Sequence, residues 1–129
     1  MNTAMTTMTE QLGTSIFINT EGVLSIDLCS IPPIKTNEDT QYCVQYVLFQ
    51  IQQLLIEKEK IDIILHITND IKMEMFKTIK LFFGLFKKEL PNKLNKCRIY
   101  TKAKYKGLAG MLLTFADRET KERMEILNL

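Results

Sequence analysis

A chain of 129 residues, 46% hydrophobic and 25% charged with a formal net charge of +2, has the size and composition of one globular domain with a core of its own. No apolar run approaches the roughly 18 residues of a membrane-spanning helix. One histidine rules out a multi-histidine metal centre, and five glycines leave neither a phosphate-binding loop nor a dinucleotide fingerprint at the required spacing. The three cysteines, Cys29, Cys43 and Cys97, are odd in number and far apart. They read as buried or idle thiols in a reducing, cytoplasmic compartment, with no disulfide framework and no CxxC motif. A mean hydropathy of −0.03 fits a soluble protein.

The segment Met1 to Gly13 is rich in Thr and Met and lacks the basic and apolar regions of a signal peptide, so a flexible lead-in is expected there. Residues 14–129 are expected to form a single α/β domain. Ser15 to Asn19 alternates, with Ile16 and Ile18 opposite Phe17. After Thr20-Glu21-Gly22 the alternation resumes, Leu24, Ile26 and Leu28 lying opposite Val23, Ser25 and Asp27. Two such runs across a short glycine-containing turn predict a β-hairpin. Pro32 and Pro33 exclude a strand through residues 31–35.

Thr36, with Asp39 three residues on, signals a helix start, because a hydroxyl and a carboxylate at that spacing satisfy unpaired amides. Cys43, Val44, Val47, Leu48, Ile51, Leu54 and Leu55 follow at a helical period, opposite Gln45, Gln52 and Gln53. Lys58-Glu59-Lys60 ends that helix. Ile61 to Ile67 has almost no polar face, which predicts a strand covered on both sides in a partly parallel sheet. Asn69 or Asp70 then caps a second helix, on which Met75, Phe76, Ile79, Phe82, Phe83 and Phe86 form one stripe. Pro91 stops it. Cys97 to Thr101 reads as a strand, Gly107 to Phe115 as a helix and Asp117 to Arg123 as a short helix. Met124 to Leu127 reads as a closing strand or a helical end. The order β-β-α-β-α-β-α-α-(β) predicts one mixed sheet of four to five strands flanked by helices.

The last third carries a family pattern. Leu90-Pro91-Asn92-Lys93-Leu94 leads into Arg98-Ile99-Tyr100. An apolar helix then ends Leu112-Leu113-Thr114-Phe115-Ala116-Asp117, and Thr120 to Leu127 closes the chain loosely. This order resembles the CRAL-TRIO lipid-binding domain, with its Tyr-Pro-x-x-Leu turn, gate helix and Thr-x-x-Lys-Ile ending. His66 stands where the family strand carries Asp, Thr101-Lys102-Ala103 replaces an Asn-x-Pro bend, and Thr114 replaces the gate proline. The front half resembles the related STAS domain, which also opens with two strands before its first helix. The phosphorylatable Asp-Ser-Ser/Thr-Gly start of that family is absent, Thr68-Asn69-Asp70-Ile71 being its nearest equivalent.

The first resemblance implies a non-enzymatic binding module for a lipid or small hydrophobic ligand, lined by Phe82, Phe86, Ala109, Leu112, Leu113 and Phe115. The second implies a ligand-free domain for a protein partner or self-association. Independently, Lys87 to Lys106 carries eight bases against Glu89, a local charge of +7. Lys93, Lys96, Arg98, Lys102, Lys104 and Lys106 are therefore candidates for an anionic surface such as a phosphoinositide-bearing membrane. Nucleic acid is the weaker branch, since Tyr100 and Tyr105 alone supply aromatic interleaving. Leu81 and Leu85 lie off the Phe stripe and are expected to offer a partner contact unless the chain's own end covers them. His66 has no nucleophile or orienting carboxylate at suitable spacing, and no catalytic residue, cofactor or metal is assigned. Asp117, Glu119, Glu122 and Glu125 read as an exposed helix face interleaved with bases.

Overall fold

In the computed structural model, which describes residues 10–69 and 72–128 apart from the side chains of residues 73 and 74, a short helix over residues 10–15 (α1) leads into the sheet. Its Leu12 is fully buried in the core. The lead-in expected to be flexible through Gly13 is thus ordered from residue 10, and residues 1–9 lie outside the described residues.

Strands β1 (Ile16–Ile18) and β2 (Leu24–Asp27) form the predicted antiparallel hairpin, with Phe17 opposite Ser25. Its three-residue loop is closed by the Asn19 amide donating to the Val23 carbonyl at 2.9 Å. Asn19 Oδ1 accepts from the Glu21 and Val23 amides. Gly22 occupies φ +76°, the left-handed position such a loop needs, and Lys58 Nζ donates to its carbonyl at 3.0 Å.

Helix α2 (Asn37–Glu57) starts where the sequence predicts. Thr36 Oγ1 accepts from the Asp39 amide at 3.0 Å, and the Asp39 carboxylate accepts from the Lys35 amide. Cys43, Val47, Ile51 and Leu54 form its buried stripe. After β3 (Ile61–Ile67) comes α3 (Met73–Glu89), whose cap position is Lys72 with no side-chain hydrogen bond. Asn69 therefore does not cap it, and Asp70 lies outside the described residues. Pro91 and Asn92 then occupy the corners of a turn closed by Lys93 N–H to the Leu90 carbonyl. Asn92 at φ +62° gives it the type II form, which needs a residue that tolerates the left-handed region.

Strand β4 (Leu94–Thr101) is longer than predicted. The third helical region divides into a 3-10 turn (Ala103–Tyr105), α4 (Lys106–Leu112) and a second 3-10 turn (Leu113–Phe115). Asp117 caps the short α5 (Arg118–Glu122), and the ambiguous end forms β5 (Met124–Asn128) by pairing with β4. The result is an α/β domain with one mixed five-stranded sheet in the order β1-β2-β3-β4-β5, all pairs parallel except β1–β2.

Every parallel step moves in the same direction across this sheet. Crossovers of one hand therefore place α2, α3 and α4 on the same face. Burial agrees: Ile61, Ile63, Leu65 and Ile67 are buried in the core, whereas Asp62, Ile64 and His66 between them are half-exposed. The expectation that β3 is covered on both sides is corrected, because successive strands never reverse direction to send a helix to the second face. Truncation should separate the two faces. Ile63→Ala is expected to lower unfolding free energy by about 3 kcal/mol in urea melts, and Ile64→Ala by less than about 1.5 kcal/mol.

A candidate interaction surface

The residues expected to enclose a hydrophobic ligand are mostly core. Phe82, Phe86, Ala109 and Leu112 are buried to within 2% of full cover, which leaves no room for cargo among them. Leu113 and Phe115 are half-buried and pack against the same cluster. Phe115 meets Phe76 edge-on at 6.2 Å between ring centroids, and Lys80 Nζ lies 5.2 Å from the Phe115 ring. The segment that resembles a gate is thereby pinned to α3.

Small cavities occur elsewhere. One of about 140 Å³ lies at the carboxyl end of β2, between Cys29, Ile31, Pro32, Pro33 and the Lys72, Met75 and Thr78 side of α3. A recess of about 60 Å³ is lined by Ile34, Thr40, Lys77, Thr78 and Leu81. Both fall below the roughly 300 Å³ at which ligand pockets begin. The two larger hollows, about 380 Å³ beside Leu55, Lys58 and Lys93 and about 370 Å³ beside Lys96 and Arg123, are open surface grooves. Crevices at strand ends arise where strand order reverses, and this sheet has no reversal among its parallel strands.

The partner contact expected on α3 is corrected as well. Leu85 is buried in the core and only Leu81 stays half-exposed, because the chain's own elements cover this side of the helix. Phe49 and Ile56, seven residues apart on α2, are instead exposed beside the outward glutamines. The sequence carries their signal, since both fall outside the buried stripe.

The basic strip also divides. Lys93 precedes β4, Lys96 and Arg98 project from the strand, and Lys102, Lys104 and Lys106 follow its far end. Eight residues of strand span roughly 25 Å, so these bases form no single patch. The acids of the closing region have separate tasks as well. Asp117 caps α5, Glu119 accepts from the Asn92 amide at 2.8 Å, and Glu122 pairs with Arg118. Glu125 sits on β5.

What the elements bring together is the uncovered face of the sheet. Its middle row runs Phe17, Ser25, Ile64, Arg98 and Glu125 across the five strands in register. The next row toward the strand ends runs Asp27, His66, Tyr100 and Leu127. The His66 and Tyr100 rings stack at 5.8 Å. Asp62 and Lys96 are register partners in the row before. Asp27 is already engaged, accepting from the Cys29 amide and the Ser30 hydroxyl, and Asp62 accepts from Asn95 Nδ2. The Arg118–Glu122 ion pair lies off this face, and among the described residues Lys96, Arg98 and Glu125 have no ion-pair partner.

Nothing in this constellation supplies a nucleophile beside His66. Among the described residues no group of three or more His, Cys, Asp or Glu side chains can hold a metal ion, and no helix is long and apolar enough to cross a membrane. No protein-family model, no curated protein and no solved structure matches this chain.

Cys43 and Cys97 are buried, and desolvation pushes each thiol from an ordinary value of 9.0 up to about 12. Cys29 is half-buried, with its Sγ donating to the Asn69 carbonyl at 3.3 Å. The unfolded chain releases the two buried protons at lower pH than the folded chain does. The associated stability is complete below pH 9 and is lost as pH rises toward 12. Urea midpoints should accordingly fall between about pH 8 and about pH 10.5. At the lower pH, maleimide should label Cys29 in the native protein and all three cysteines after unfolding.

Proposed function

We propose that this chain is a protein-interaction domain, without catalytic activity of its own, that docks through the uncovered face of its sheet. The observation that carries this reading is Ile64. It is an apolar residue projecting outward from the central strand of a sheet whose strands β2 to β5 are all parallel. Parallel sheets are ordinarily covered on both faces, and their strands read as continuous apolar runs for that reason. Strand β3 has the composition of a doubly covered strand and the surroundings of a singly covered one.

The interior supports interaction over carriage of a lipid. Residues that would line a cargo cavity fill the core instead, and the gate-like segment is held to α3 by an aromatic pair. Charge favours protein over an anionic surface. The open face carries both signs, Asp27, Asp62 and Glu125 beside Lys96 and Arg98, without the excess of base that phosphate headgroups and nucleic-acid backbones attract. This keeps the interaction role that the STAS-like front half implies and moves it from the flank of α3 to the sheet.

A photo-crosslinking side chain placed at position 64 is expected to yield protein adducts in cells producing the chain. The same group at position 56, exposed on α2, is expected to yield far fewer. Equal yields at the two positions, or none at position 64, would overturn the proposal.

A further inference from the structure

The geometry points to a second copy of this chain as the occupant of the open face, an inference that rests on the interaction reading above. Three register pairs straddle the line between β3 and β4: Asp62 with Lys96, Ile64 with Arg98, and His66 with Tyr100. Each pair joins chemically complementary side chains. The first is acid and base, the second an aliphatic group and a guanidinium with its apolar stem, the third imidazole and phenol.

A twofold axis along that line, midway between two sheets packed face to face, lays β3 of each copy over β4 of the other. Asp62 then meets the partner's Lys96 and receives the same contact in return, which is the self-complementarity a closed dimer requires. Ile64 gains cover from an arginine stem, and the two imidazole–phenol pairs continue each other's stack. Rows outside the central pairs add no like-charge clash. Glu125 of β5 falls over Ser25, and Asp27, already engaged by its own turn, falls over Leu127. Sheets packed this way sit about 10 Å apart, within the joint reach of an aspartate and a lysine.

Size sets the strength. The axis pairs β3 with β4 and β2 with β5, so four strands at about 4.8 Å spacing and about 17 Å of strand length overlap, roughly 330 Å² in projection. Side-chain relief brings the buried total for two copies to about 800 Å², the range of weak, transient contacts. A weak, reversible dimer is expected.

Sedimentation velocity over a concentration series is expected to show monomer giving way to dimer. Lys96→Glu and Asp62→Lys should each weaken self-association at least about tenfold, because each sets like charges against one another. An equimolar mixture of the two variants should dimerise again, since every contact in the mixed pair joins opposite charges. Asp62 is half-exposed and Lys96 exposed, so both variants should keep the wild-type far-UV circular dichroism. A wild-type monomer at every concentration, or a mixture that stays monomeric, would defeat the inference. Adducts at position 64 that hold another protein and never a second copy would defeat it too, while leaving the interaction reading intact. Absence of any adduct there would remove both.

Discussion

The constraint on which the rest depends is the strictly sequential order of the parallel strands. Because β2, β3, β4 and β5 are laid down side by side in one direction, every crossover of the same hand returns over the same face. All long helices therefore compete for one side of the sheet, and the core is a single layer of contacts between Ile61, Ile63, Leu65 and Ile67 and the stripes of α2 and α3. The same order removes the strand reversal at which α/β sheets usually open a crevice. One topological fact thus accounts for a filled interior, a shallow strand-end cavity and a bare second face.

Local chemistry fixes the corners of this layout. Gly22 and Asn92, the two residues with positive φ among those described, stand at the hairpin and at the entry to β4. Each is tied to a remote element, Gly22 through Lys58 at the end of α2 and Asn92 through Glu119 of α5. A turn that must adopt a left-handed conformation is thereby also a tether between layers. Caps at Thr36 and Asp117 start their helices with side-chain acceptors. Helix α3 has none, and its position is set by burial of Ile79, Phe82, Phe83 and Phe86.

Much of this was legible in the sequence. Period-two alternation gave both hairpin strands and their faces, and the Thr36 to Asp39 spacing gave the start of α2, because backbone geometry and capping are local properties. The apolar run of β3 was read correctly as a parallel strand. Its second face was not, since apolarity states a demand for cover and does not say which chain supplies it. Leu85 illustrates the converse: helical angle set it apart from the Phe stripe, yet neighbouring elements cover it. The basic strip divides for a related reason, because proximity along a strand becomes distance once the strand is extended.

By itself, then, the sequence determined the order of elements from β1 onward, the hairpin, the start of α2 and the class of sheet, all of which follow from spacing within a few residues. Tertiary structure alone decided which face stays open, and so brought Asp62, Ile64 and His66 beside Lys96, Arg98 and Tyr100. The physical reason is register: residues more than thirty positions apart become neighbours only when two parallel strands choose their alignment, and no local periodicity encodes that choice.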